Sequence, residues 1–170
     1  MWCKQGLWVV LCLSAYTNAL AGEGSAPLRN ASGMNERVIC SISAAVEYGV
    51  PVNAMLAVAE QEGGHPKQWV RNTNGTYDVG SMQFNTSYLG GLSRYGIRVE
   101  DVASEGCYPY RLAAWRIRGH IMNDHGDVWT RIANYHSKTP KFNMSYRVGL
   151  QRRARKWDVW LSSRFPTAMW

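Results

Sequence analysis

Residues 51–64 read Pro-Val-Asn-Ala-Met-Leu-Ala-Val-Ala-Glu-Gln-Glu-Gly-Gly, an apolar run that ends in two glutamates and two glycines. Pro51 suits the first turn of a helix, where its missing N–H has no intrahelical carbonyl to satisfy. Val52, Met55, Leu56 and Ala59 then fall on one face at helical spacing, and Gly63-Gly64 stop the element. At about 100° per residue, Glu60 and Glu62 flank that apolar stripe on opposite sides. Val58 tilts the apolar centre toward Glu62, which is therefore expected to be the more buried of the two. Glu62 also stands at the negative end of its own helix, so burial and the helix dipole both disfavour its anion and raise its pKa. A carboxylic acid kept protonated near neutral pH is what cleavage of a glycosidic bond requires of its acid. The spacing alone leaves the plainer reading open, in which both glutamates are solvated residues at a helix end.

Outward from this segment the pattern stays helical. Val38, Ile39, Ile42, Ala45 and Val46 mark an apolar face that ends at Gly49. A third helix is predicted from Pro109 to His125, with Leu112, Ala113, Ile117 and Ile121 inward and Gly126 as its stop. A short helix covers Val128 to Tyr135, and a last one runs from Met144 to Ser162 with Tyr146, Leu150, Arg153, Trp157 and Trp160 at helical spacing. Residues 65–91 differ, because Asn72, Asn74, Gly75, Asp78, Gly80, Asn85, Gly90 and Gly91 mark turns; loops with a short hairpin are expected there. The fold class is thus mainly α: one globular domain spanning residues 34–165, with a helical core and an irregular or hairpin region beside it.

The first residues carry a processing signal. Lys4 supplies a positive start, Leu7 to Leu13 a short apolar core, and Ala19-Leu20-Ala21 a cleavage site, so residues 1–21 read as a signal peptide. The apolar run is too short for a permanent span, which needs about 20 residues. A lipoprotein reading of Cys12 is disfavoured by the large Leu11 before it. Residues 22–33 are small and polar and read as a flexible mature N-terminus. The expected location is periplasmic or secreted. Basic side chains outnumber acidic ones by 19 to 12, which suits an anionic extracellular partner such as a wall polymer. No nucleic-acid-binding motif accompanies the charge. Cys40 and Cys107 remain after the signal is removed, and a disulfide between them is the economical reading in an oxidising compartment, with two buried free thiols as the alternative.

Three motifs, taken in order, carry a resemblance. Ala54 to Gly64 resembles the "A-x-A-x-Q-E-S" helix end of lysozyme-like lytic transglycosylases. Asp78-Val-Gly-Ser-Met-Gln-Phe-Asn85 is similar to their "G-L-M-Q-I-N" segment, and Ile132-Ala-Asn-Tyr-His-Ser137 to their "A-Y-N" or "A-Y-H-S" segment. Order and spacing agree across residues 36–147. The nearest likeness is to the small specialised enzymes of type III and type IV secretion, conjugation and pilus systems, which often carry cysteines where Cys40 and Cys107 stand. The resemblance implies a lysozyme-like α+β fold with a substrate cleft, and Glu62 as the single catalytic acid/base. It implies that Ser81, Met82 and Gln83 line the cleft floor, with Gln83 bonding sugar amides, and that Tyr135 stands near Glu62 with His136 beside it at the sugar. The implied substrate is the peptidoglycan glycan strand, cleaved without cofactor or metal, and the implied partners are components of a secretion, conjugation or pilus machine. Gly63, Ser81 and His136 depart from the family's Ser, Leu and Asn.

Two rivals stand beside this reading. A lysozyme-type hydrolase would use Asp78 as a second carboxylate, although Asp78 also suits a turn before Gly80. A non-catalytic wall-binding or assembly protein would use the basic stretch Arg147, Arg152, Arg153, Arg155, Lys156 and Arg164, which otherwise reads as a solvated helix face. The four histidines (His65, His120, His125 and His136) are too scattered for a metal site. Trp69 and Tyr77 are the aromatic candidates for stacking on a sugar ring. The N-x-[ST] triplets at Asn30, Asn74, Asn85 and Asn143 read as chance matches in a bacterial setting.

Overall fold

The computed structural model describes residues 26–166. The signal peptide expected at 1–21 and the start of the 22–33 segment lie outside the described residues. The elements run α1 (Ala26–Tyr48), α2 (Val52–Glu62), β1 (Trp69–Arg71), β2 (Tyr77–Val79), β3 (Phe84–Asn85), α3 (Thr86–Leu92), a 3-10 turn (Ser93–Tyr95), α4 (Val99–Ala103), α5 (Tyr108–Asn123), α6 (Val128–Ala133) and α7 (Pro140–Arg164). This is the mainly α, single-domain arrangement expected, with a small antiparallel sheet in the order β1-β2-β3.

α2 lies at the centre. Ala54, Met55, Ala57, Val58 and Ala59 are fully buried and Leu56 nearly so, which exceeds the one-sided stripe read from the sequence. A helix that is apolar all round is an interior helix. α1 packs on it from one side and α7 from another, and α5 in turn packs against α1. The alanines let these neighbours approach closely.

The α1 face differs from the expected one. Cys40, Ser41, Ala44 and Ala45 are buried, whereas Ile39 and Val46 are 63% and 68% exposed. Packing between α2 and α5 selects the strip of smaller residues and turns those two outward. The helix also begins at Ala26, so the segment expected to be a flexible N-terminus is helical from there. Pro27 fits a first helical turn, and no further proline interrupts the chain between it and Met34.

Between β3 and α5 the chain is more helical than its turn-forming composition implied. Asn85 caps α3 by accepting from the Ser87 N–H at 3.0 Å, and Gly90 and Gly91 sit within the helix or at its end with open space around them. α6 starts at Asp127, whose carboxylate accepts from the N–H groups of Trp129 and Thr130. Cys40 and Cys107 form a disulfide with their Cα atoms 4.8 Å apart, joining α1 to the start of α5.

Candidate active site

A cleft of about 690 Å³ opens beside the end of α2, with Glu62, Asn72, Asp78, Gln83, Asn85, Arg116, Tyr135, His136 and Phe142 among its lining residues. The last three residues of α2 each meet α7 in a different way. Trp157 donates its indole N–H to Glu60 Oε2 at 2.7 Å, and Arg153 and Lys156 place their charges 3.7 Å from the same carboxylate. Gln61 donates to the Tyr146 carbonyl at 3.0 Å. The Tyr146 hydroxyl donates to Glu62 Oε1 at 2.5 Å. Glu60 is therefore committed to holding α7, and Glu62 alone of the two lines the cleft.

Burial is the main force on Glu62 and raises its pKa from 4.5 to about 7. The Tyr146 hydrogen bond and the Arg116 charge pull the other way, and the Asp78 charge adds to the rise. Burial and the neighbouring glutamate hold the Tyr146 phenol well above its ordinary value, so Tyr146 remains a donor. The His136 ring stacks on Tyr146 with centroids 4.7 Å apart and planes within 3°. Burial lowers the pKa of His136, which leaves a neutral ring at the cleft wall.

The opposite wall comes from the sheet. Asp78, expected in a turn, is a strand residue paired with Val70 and Asn85. Its carboxylate accepts from the Asn85 amide at 2.9 Å, and Asn85 also donates to Thr76 at 2.9 Å. Strand alternation puts Asp78 and Asn85 on the cleft face. The same alternation puts Trp69 and Tyr77 on the other face, where they pack edge to face at 5.9 Å. They are not among the residues lining this cleft and stand exposed on that other face.

Of the three residues expected on the cleft floor, Gln83 lines the cleft. Ser81 and Met82 are buried beneath it, because the turn after β2 packs their side chains inward. Gln83 sits at φ 49°, and its amide N–H₂ donates to Gly80 O at 2.8 Å and Gln68 Oε1 at 3.3 Å. These bonds leave the amide oxygen as an acceptor for a ligand. Gly64 makes the approach possible: a Cβ there would stand 2.3 Å from the Gly80 carbonyl and 2.6 Å from the Gln83 amide. Tyr135 also lies lower than expected. It is buried, and its hydroxyl donates to the Met82 carbonyl at 2.8 Å, so it anchors the Gln83 turn while Tyr146 holds Glu62.

No protein-family model matches the chain. Protein IpgF of Shigella flexneri is 30% identical over 122 residues, which cover 69% of this chain and 80% of that protein. Protein IpgF of Shigella sonnei matches with the same identity and coverage. The chain belongs to the IpgF family.

In this IpgF-family chain two residues that act on Glu62, Tyr146 and Arg116, escaped the sequence reading. Tyr146 was placed only in a stripe at helical spacing on the last helix, with no sign of a role at Glu62. Arg116, on α5, was one exposed-looking cation among many. Asn143, read as a chance triplet, is buried and donates to Asn134 Oδ1 at 2.8 Å and to the Thr130 and Ser137 carbonyls. It fixes the turn that presents Tyr135 and His136. Much of the basic stretch of α7 is likewise structural: Arg147 pairs with Asp127 at 3.2 Å, and Arg153 donates to Gln61 at 3.2 Å.

Proposed function

We propose that the chain is a peptidoglycan lytic transglycosylase in which Glu62 is the only catalytic carboxyl group. The observation that carries this reading is Glu62 itself, a carboxyl lining the cleft with its pKa raised to about 7 and its orientation fixed by Tyr146. Protonated Glu62 donates to the glycosidic oxygen between N-acetylmuramic acid and N-acetylglucosamine, and the C1–O bond breaks. The resulting carboxylate takes the proton of the muramyl C6 hydroxyl, whose oxygen closes on C1 to form the 1,6-anhydro ring. The nucleophile belongs to the sugar, so one protein carboxyl serves both steps, in contrast to the usual carboxylate pair. Gln83 offers its amide oxygen to a sugar N-acetyl N–H, and neutral His136 supplies a flat wall on Tyr146.

The Cys40–Cys107 disulfide suits an oxidising periplasmic or extracellular compartment. No helix among the described residues is long and apolar enough to cross a membrane. With the motif resemblance, these features support local opening of the wall for a secretion, conjugation or pilus apparatus.

One observation favours a second reading: Asp78 lines the same cleft as Glu62, and as a second carboxylate it would make the protein a hydrolase. Mass spectrometry of digested peptidoglycan separates the two. Anhydro-muropeptides from the wild type and none from Glu62→Gln are the expected result, with a loss of about 10²-fold or more in rate. Reducing-end products would replace the proposal with hydrolysis through Asp78. No products from a folded protein would leave a wall-binding role.

A further inference from the structure

Arg116 is a cation with its donors unspent. It projects from α5 (Tyr108–Asn123) and is partly buried. Its guanidinium carbon lies 4.0 Å from the ring centroid of Tyr88 and 4.8 Å from that of Tyr135. Its Nε is buried without a hydrogen-bond partner, and among the described residues no carboxylate pairs with it. The neighbouring cations are engaged: Arg118 donates to the Gly49 carbonyl at 3.1 Å, and Lys138 pairs with Asp124 at 2.8 Å. A guanidinium keeps its charge at any physiological pH. The two rings compensate that charge in part while leaving its N–H groups unused.

The position of Arg116 matters as much as its lack of partners. It lines the cleft that holds Glu62, and it also lines an adjoining depression of about 810 Å³ between α5 and the turn after α6. His136 and Ser137 are common to both. A ligand that runs from one depression to the other passes this cation. The charge does not help Glu62 stay protonated, since it pulls that pKa down. Its chemical fit is to a planar anion, which a guanidinium binds by paired charge-assisted hydrogen bonds.

We propose that Arg116 is the specificity contact for a carboxylate carried on the glycan strand, so that the cleft selects muramyl glycans over neutral N-acetylglucosamine polymers. The proposal rests on the glycan reading of the cleft given above. The carboxylate has two sources, the free lactyl group of a peptide-free strand and the acidic groups of an attached stem peptide.

Binding to the Glu62→Gln protein tests this without turnover. Three probes of matched length are compared by calorimetry: amidase-stripped glycan strands, peptide-bearing strands, and N-acetylglucosamine oligomers. At least one carboxylated probe is expected to bind about tenfold or more tightly than the neutral oligomer. Adding Arg116→Gln removes that preference, Arg116→Lys keeps part of it, and salt weakens the carboxylated probe selectively. The carboxylated probe that keeps the preference identifies the source. Equal affinity for all three probes, an Arg116→Gln loss that is the same on the neutral oligomer, or no binding by any probe would overturn the proposal. Thermal melting checks that each variant is folded, and the salt series on the unsubstituted Arg116 decides the matter if Arg116→Gln is not. Failure of the transglycosylase reading shows separately, as an absence of anhydro products from the Glu62 protein while the binding preference persists.

Discussion

Enclosing Glu62 makes its ionisation a cost to the whole fold. Its pKa is about 7 in the folded protein against an ordinary 4.5, so the folded state binds the proton more tightly. The stabilisation is fully present below pH 4.5 and is lost as pH rises through about 7. Glu62→Gln is therefore expected to be more stable than the wild type at pH 8, by about 3 kcal/mol, with the difference closing near pH 4; thermal melting at the two pH values checks it. Tyr146→Phe works on the same group in the opposite sense. Its hydroxyl stabilises the carboxylate, so removing it raises the Glu62 pKa further. The alkaline limb of the rate profile should move to higher pH while the rate falls about tenfold, because the carboxyl loses its fixed orientation; a pH–rate profile on soluble glycan strands measures both. Glu62 was legible in the sequence because helix periodicity and two glycines defined its place at a helix end. Tyr146 was not: its role depends on where α7 crosses α2, and that crossing is set by Glu60, Gln61 and Trp157, contacts without a local pattern.

The elements around the cleft are held by contacts closer than side-chain matching alone would give. The chain leaving α2 passes against the turn between β2 and β3 at Gly64, where even a methyl group meets backbone. Gly64→Ala should force the two segments apart, with a cost of about 1–3 kcal/mol and displacement of Gln83. The expected outcome is a lower melting temperature together with a rate loss larger than the stability loss explains, read from melting curves and digestion rates of the same preparation. The sequence told the helices well, since α2, α5 and α6 each carry a start signal, a stop signal or an apolar face. It told the region between α2 and α5 less well. There Asn85 acts as a cap and as a strand residue together, so turn-forming composition conceals both a helix and an ordered sheet edge. Alternation along β2 was too short a signal to separate Asp78 on the cleft face from Tyr77 on the other.

At the scale of the molecule, one covalent link joins α1 to α5 across a sequence separation of 67 residues. Restricting the unfolded chain over such a span contributes about 4 kcal/mol in the chain-entropy account. Reduction, or Cys40→Ser with Cys107→Ser, is expected to lower stability by about that amount in denaturant titration while leaving the Glu62 site intact in the folded fraction. The pairing was readable from an even cysteine count once the signal was set aside, although proximity itself came only from the docking of α1 on α5. The link has a further consequence. Every residue from Glu62 through the sheet to α4 lies inside the ring it closes, including the exposed tip at 73–75. A protease that cuts there produces two chains that do not part. Such a nicked molecule migrates on a denaturing gel as one band until a reductant is added and as two afterwards, one fragment carrying Glu62 and the other the tyrosine that donates to it.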